Sequence, residues 1–271
     1  MGKVPRVLTV AGSDCSGGAG VQADLKTFTA LGVYGMSAIT AVTVQNTEGV
    51  LEVHELPPEL VYRQIEAVVE DVGVDAVKVG MLWKEEVVEK VALAVERFGL
   101  DKLILDPVIR STDGTPLIRE GTLEVMKKKL FPLTLLLTPN VPEAGELCGV
   151  EVKGIRDMEE CARRILDMGV RAVVIKGGHL EGGEAVDLFY EGGSEFHYLV
   201  AEKIKIGCVR GTGCTFSAAV AAYVAKGYEL VESVRRAKEF VREVIRRSLS
   251  LGRGCRSPNH LWRTGGCTGD S

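Results

Sequence analysis

The heptapeptide RGTGCTF, Arg210 to Phe216, places a cysteine behind two glycines just ahead of the alanine-rich run SAAVAAYVAKG. Glycines let the chain turn sharply, and a helix starting there aims unpaired N–H groups and its positive dipole end at whatever lies before it. Such a turn cradles an anion. The same field is expected to favour a thiolate at Cys214, lowering its pKa so that it serves as a base near neutral pH. Taken alone, Cys214 also reads as a small packing residue. Asp106, Asn140 and Glu143 follow other apolar runs and carry oxygens able to order a hydrated Mg²⁺, while Lys176 can reach a phosphate. Cations, an N–H cradle and a positioned acceptor are what phosphoryl transfer requires, because its transition state spreads negative charge over the moving group. Each piece also has an ordinary reading: Asp106-Pro107 as a turn, Lys176-Gly177-Gly178 as a loop with a solvated lysine. Convergence of these groups on one edge of the fold is what separates the readings.

The elements that must position them follow from periodicity. Apolar, β-branched runs at 6–11, 37–44, 75–79, 102–106, 134–138, 171–176 and 185–190 predict strands. Segments of helical period at 19–31, 58–72, 84–98, 119–130, 142–148, 157–168, 214–226 and 231–249 alternate with them, the pattern of an α/β fold with a mostly parallel sheet. Residues 185–206 read instead as a meander of antiparallel edge strands with an EGG turn. Ligands gather at the carboxyl ends of parallel strands, and Asp106, Asn140, Glu143 and Lys176 stand at or just after such ends. No linker composition or repeat divides the chain, so residues 1–262 are read as one domain and the glycine-rich 263–271 as a disordered tail.

Composition narrows the partners. The 271 residues carry 46% hydrophobic and 26% charged side chains, with a formal net charge of −4. That offers no general basic field for nucleic acid, and no apolar run approaches the ~20 residues of a membrane span. A small-molecule partner and a cytoplasmic location are expected, since the first residues lack a signal-peptide layout. Seven cysteines without a C-x-x-C pair argue against a zinc cluster; each reads as a small buried hydrophobe, or as a disulfide partner where intracellular disulfides occur. Gly18-x-Gly20-x-x-Ala23 has the spacing of a dinucleotide fingerprint, but the acidic residue expected about 20 positions later is missing, and no P-loop pattern is present. A non-catalytic ligand sensor or NAD-binding module would carry the glycine turns while Asp106, Glu143, Lys176 and Cys214 pointed apart.

The segments AGSDCSGGAGVQADLKTF, VQNTEGV, KVGML, DPV, LTPNVPEA, KGGH, RGTGCTFSAA, RRAKEFV and SPNHLW together resemble the hydroxymethylpyrimidine and phosphomethylpyrimidine kinases of thiamine biosynthesis, a branch of the ribokinase-like superfamily. The likeness runs in order from about residue 6 to 262. It implies a three-layer α/β/α fold, a homodimer, and two ATP- and Mg²⁺-dependent steps: phosphorylation of 4-amino-5-hydroxymethyl-2-methylpyrimidine, then of its monophosphate to the diphosphate. By the same resemblance Cys214 is the base, where most of the superfamily has aspartate, and Gly211, Thr212 and Gly213 form the anion hole. Gln45 would read the amino and ring-nitrogen edge of the pyrimidine, with Gly12, Ala19, Thr43, Met81 and Val108 walling the ring. Lys176, Val209 and Lys238 would meet ATP, and Asp106 and Glu143, with Asn140 beside them, the metal shell. Two departures stand out: Cys15 replaces a proline and should loosen its loop, and Arg210 replaces a histidine, adding a fixed positive charge near the phosphates. The alternative activity is that of a pyridoxine or pyridoxal kinase of vitamin B6 salvage, which phosphorylates another flat heteroaromatic alcohol.

Overall fold

A computed structural model describes residues 4–180 and 182–262; the expected tail at 263–271 lies outside the described residues. The chain runs β1 (Arg6–Asp14), α1 (Gly20–Ala30), β2 (Tyr34–Gln45), β3 (Val50–Glu55), α2 (Pro58–Asp71), β4 (Ala76–Val79), α3 (Glu85–Phe98), β5 (Leu103–Leu105) and α4 (Thr122–Lys129). It continues through β6 (Leu136–Leu137), α5 (Val141–Cys148), α6 (Ile155–Asp167), β7 (Val173–Ile175), β8 (Glu184–Tyr190), β9 (His197–Glu202), α7 (Thr212–Ala225) and α8 (Leu230–Arg246). The strands form one sheet in the order β3-β2-β1-β4-β5-β6-β7-β8-β9. From β2 to β7 all neighbours are parallel, while β3, β8 and β9 join antiparallel at the two edges.

Alternation along the strands builds two cores, because successive side chains point to opposite faces. Leu8, Val10, Leu103, Leu105, Val173 and Ile175 face α2, α3, α4, α5 and α6. Val7, Ile104 and Val174 face α1, α7 and α8. Both faces are therefore covered, which explains why the inner strands read as continuous apolar runs. Helix α7 is buried from Thr215 to Val224, enclosed by the sheet, α1 and α8. Its alanines permit that close approach. Among the described residues, no helix is long and apolar enough to cross a membrane.

The chain departs from its pattern in three places. The expected helix 119–130 starts only at Thr122, because Gly121 takes φ 82° and breaks the turn before it. Strand β3 was not among the expected elements: VLEVHE alternates, and the Asn46 side chain folds QNTEG into a turn by accepting from Glu48 N and Gly49 N. Finally, Cys208 and Cys255 are joined as a disulfide, not buried as hydrophobes. Around this bond, Arg256 N donates to Cys208 O at 3.0 Å, and Cys255 N to Thr47 O at 2.8 Å. The 254–257 segment thus straps the end of β2 to the start of the α7 turn.

The disulfide closes a loop across a sequence separation of 47, for which the chain-entropy model gives about 4 kcal/mol of stabilisation. Replacing both cysteines with serine is expected to lower unfolding stability in urea by about 2–4 kcal/mol. An unchanged midpoint would show that the strap is held by its backbone hydrogen bonds alone.

Candidate active site

Two turns create the site. Gly211 takes φ 66° at the head of α7, and a Cβ there would lie 1.9 Å from Gly18 O. Gly20, the first residue of α1, takes φ 57°, and its Cβ would lie 2.3 Å from Gly12 O. Only glycine fits either position. The loop between them is held by Asp14, whose carboxylate accepts from Ser16 N (2.9 Å), Gly18 N (3.1 Å) and Ala19 N (2.8 Å). The two helix starts therefore converge beyond the carboxyl end of β1, where the strand order turns from β2 on one side to β4 on the other. This is the topological switch point of an open parallel sheet.

A cavity of about 480 Å³ opens there. Its wall brings together Gly12, Ala19, Thr43, Gln45, Met81 and Val108 on one side. Asp106, Asn140, Glu143 and Lys176 lie on the other, with Val209, Gly211, Thr212, Gly213 and Cys214 between. Lys238 is not brought there. It is buried on α8, paired with Asp187 at 2.9 Å and donating to Ala185 O and Leu199 O, so its charge is spent on the edge strands. Cys15 also departs from expectation: its Sγ approaches Gln45 O at 3.1 Å and Gln45 N at 3.4 Å, which ties the loop to β2 and does not loosen it.

Gln45 is buried, with its Oε1 3.1 Å from Thr43 Oγ1, so the amide is held in place at the cavity wall. Across the cavity, Asp106 Oδ1 accepts from Thr138 Oγ1 at 2.9 Å and from Lys176 Nζ at 3.1 Å. Burial opposes its ionisation, but Lys176 and Lys78 outweigh that and hold its pKa below the usual range. Asn140 and Glu143 form a capping box at the start of α5: Asn140 Oδ1 accepts from Glu143 N, and Glu143 Oε2 from Asn140 N, both at 2.8 Å. Burial, with Asp106 adding to it and Lys176 opposing, pushes Glu143 up to about 7. A Cβ at Gly213 would lie 3.4 Å from Lys176 Nζ and 3.6 Å from Asp106 Oδ2. Glycine there keeps a passage open between the α7 turn and these charges.

The donor set suits Mg²⁺. Asp106 keeps one carboxylate oxygen clear of the hydrogen bonds above, while Glu143 receives the Asn140 and Ile109 N–H groups, and an oxygen-rich wall with one or two carboxylates is how that ion is held when phosphates supply other ligands.

Cys214 corrects a sequence-based expectation. Its thiol opens to the cavity but is otherwise surrounded by protein, and burial pushes it up to about 11, with Asp24 and Asp106 contributing. Lys78 and the Gly20 N–H pull the other way and do not prevail. Lys78 and Asp24 were not singled out from the sequence, although one lysine inside DAVKV was the available signal. Both are fully buried; Lys78 Nζ donates to Asp24 Oδ2 at 2.8 Å, and Thr9 Oγ1 donates to the same oxygen at 2.6 Å. Burial favours the neutral form of both groups. On Lys78 it is outweighed by Asp24, Cys214 and Asp106, which raise its pKa; on Asp24 it prevails over Lys78 and raises that pKa too. We take the pair as ionised, since a neutral Asp24 would leave Lys78 as a buried cation without its partner.

A family model for phosphomethylpyrimidine kinase matches residues 14–259. The chain belongs to the phosphomethylpyrimidine kinase family. It is 44% identical to the hydroxymethylpyrimidine/phosphomethylpyrimidine kinase of Bacillus subtilis, covering 94% of both chains. It is 46% identical to the thiamine biosynthesis bifunctional protein ThiED of Geobacter sulfurreducens over 94% of this chain, and spans 52% of that longer protein. Among solved structures, the pyridoxal kinase of Staphylococcus aureus in complex with AMP-PCP and pyridoxal superposes with a TM-score of 0.88 at 37% identity, covering 96% of this chain and 94% of that one. The fold of this phosphomethylpyrimidine kinase relative is accordingly ribokinase-like, as its three layers and strand order indicate.

The Glu143 environment of this family member generates a stability prediction. Because its folded pKa is raised to about 7, the folded state holds the proton longer than the unfolded one. The stability this contributes is present below the unfolded pKa near 4.5 and is lost as pH rises towards 7. Glu143→Gln keeps an oxygen for Asn140 N but cannot ionise. It is expected to match the wild type at pH 4 and to exceed it by up to about 3 kcal/mol at pH 8. Parallel urea curves at the two pH values measure this; identical pH dependence in both proteins would refute a buried, proton-retaining Glu143.

Proposed function

We propose that this chain phosphorylates 4-amino-5-hydroxymethyl-2-methylpyrimidine with ATP, and then its monophosphate to the diphosphate, as a hydroxymethylpyrimidine and phosphomethylpyrimidine kinase of thiamine biosynthesis. The observation that carries the reading is the shared cavity. Gln45, an amide able to pair with an aminopyrimidine edge, faces the same 480 Å³ space as the α7 turn, Lys176 and Cys214. The family match and the relatives named above support it independently.

In this reading the ring lies between Gly12, Ala19, Thr43, Met81 and Val108, with Gln45 fixing its orientation. Lys176 and the N–H groups of Gly211, Thr212 and Gly213 stabilise the transferring group as its charge spreads. Asp106 and Glu143, with Asn140 alongside, would hold Mg²⁺, which would neutralise the charge developing on the phosphates. Val209 flanks the nucleotide; Lys238 acts only in support, through the edge strands. Cys214 accepts the proton of the acceptor alcohol. With its pKa near 11 it is rarely ionised at neutral pH, so the alcohol step should accelerate as pH rises. The phosphate acceptor of the second step already carries negative charge and needs little deprotonation. A homodimer completes the proposal, supported by the exposure of Val42, Val44 and Leu51 on the edge hairpin of β2 and β3.

A second reading, phosphorylation of a vitamin B6 alcohol, is favoured by the close superposition on a pyridoxal kinase. Assaying both alcohols with ATP and Mg²⁺, and resolving mono- from diphosphate, decides between them: the aminopyrimidine should yield a diphosphate. Consumption of ATP with the B6 alcohol alone, or with neither, would overturn the main reading.

Cys214→Ala should reduce turnover of the alcohol by roughly 10²–10⁴-fold, the usual worth of a general base, while supplied monophosphate is still converted. Cys214→Asp should recover part of the first activity. Wild-type kcat/KM for the alcohol should climb more steeply between pH 7 and pH 9 than that for the monophosphate, by roughly tenfold per unit for a group titrating above that range. Parallel profiles for the two acceptors would remove Cys214 from the proton transfer. Gln45→Leu should raise KM for the alcohol by leaving ring polar atoms unpaired at ~1–3 kcal/mol; an unchanged KM would take Gln45 out of the site.

A further inference from the structure

Four cations line the cavity: Lys78, Arg110, Lys176 and Arg210. Three have carboxylate partners. Lys78 pairs with Asp24 at 2.8 Å, Lys176 with Asp106 at 3.1 Å, and Arg110 with Glu146 at 4.0 Å. Arg210 is different. It is 7% exposed, its Nη1 is buried without a hydrogen-bond partner, and among the described residues no carboxylate pairs with it. A guanidinium buried without a counter-charge is costly, and it is tolerated where an anion arrives to complete it. Its planar fork matches phosphate oxygens two at a time.

Two phosphates enter this site in the proposed reaction, the donor's and the monoester of the second acceptor, and position distinguishes them. Arg210 N donates to Arg256 O at 3.1 Å, and the adjacent Cys255 donates to Thr47 O, two residues beyond Gln45. The disulfide between Cys208 and Cys255 fixes this arrangement. The neighbouring Gly211 presses on Gly18 O and Ala19 Cα. Arg210 is thus built into the wall that carries Ala19 and Gln45. Lys176 and Asp106 approach the turn at Gly213, on its far side.

We propose that Arg210 binds the phosphate monoester of the second-step acceptor, and so determines how strongly this chain prefers the monophosphate over the alcohol. The proposal rests on the two-step kinase reading. The assignment concerns the one position in the turn where this sequence departs from the expected histidine.

The test compares wild type, Arg210→Gln and Arg210→Lys in steady-state assays with the alcohol and with the monophosphate, each at varied ATP. Removing the guanidinium should lower the ratio of kcat/KM for monophosphate to that for alcohol by about 10–100-fold, the worth of hydrogen bonds to a charged group. The loss should fall on KM for the monophosphate. Lysine, which keeps the charge without the fork, should give a smaller decrease. If Arg210→Gln does not fold, as judged by thermal melting, the Arg210→Lys ratio decides the matter alone. An unmoved ratio in the folded variants overturns the proposal. So does a rise in KM for ATP that is equal with both acceptors, which would place the guanidinium on the donor phosphates. A wild type that makes diphosphate with an unmoved ratio in the variants rejects Arg210 only; a wild type that converts neither acceptor rejects the kinase reading and this assignment together.

Discussion

The close approach of two glycine turns governs this molecule. With Gly211 against Gly18 and Gly20 against Gly12, the starts of α1 and α7 are locked together over the end of β1 at separations no side chain would permit. Everything that faces the cavity is positioned relative to that junction. Cys214 lies in the first turn of α7, the Asp14 loop wraps the start of α1, and the Lys78–Asp24 pair joins β4 to α1 beneath them. A methyl group at either glycine would force the two helices apart, and the N–H groups of both would then lose their common focus.

That same closeness reverses the electrostatics expected of a helix-start cysteine. A helix dipole is worth about 0.3–1 kcal/mol at an exposed terminus, whereas enclosing a thiolate in protein costs several times more. The nearest cation, Lys78, is shared with Asp24, so its pull on Cys214 is partly cancelled. The result is a thiol near pKa 11: a strong base when ionised and seldom ionised in advance. In the proposed reaction only the thiolate fraction can take the alcohol's proton, as the growing bond to phosphorus acidifies the alcohol, so the first step draws on a small population that grows with pH. A cysteine kept mostly protonated is a poor resting nucleophile and is also less open to oxidation.

How much of this could be read from the sequence depends on whether the cause was local. Strand alternation, helix periods and the residues after each strand end are local, and they led to the two-faced sheet, to Asp106, Asn140, Glu143 and Lys176, and to the turn that carries Cys214, while Gln45 and the residues walling the ring came from the family resemblance. Strand β3 is equally local, but QNTEG reads as the end of an element when it is the turn of a hairpin. The Cys208–Cys255 bond, the fate of Lys238 and the pKa of Cys214 are not local. Each is decided by what a distant segment brings alongside: the 254–257 strap, Asp187 on β8, and the walls around α7. Lys78 lies between these cases. A lysine in an apolar strand announces a buried charge, but only the fold supplies Asp24 as its partner.

Three helices begin on this one cavity, and they are not equivalent. Helix α5 closes its own start, since Asn140 and Glu143 satisfy each other's N–H groups in the capping box. Helices α1 and α7 have no side-chain cap, with Ala19 and Gly211 at their N-cap positions. At α1 the Gly20 N–H already meets Cys214 and the N–H groups before it are taken by Asp14, so α7 is the start left open to an anion, whereas α5 presents carboxylate oxygen. An anion is drawn to α7 and repelled by α5 unless a cation stands between. Lys176 supplies part of that cation, and the carboxylates of Asp106 and Glu143 leave room for a hard divalent ion to supply the rest. The division into an N–H side and a carboxylate side sets a direction across the cavity, and in the proposed reaction it is the direction from the Lys176 and carboxylate side towards an acceptor held against Gln45.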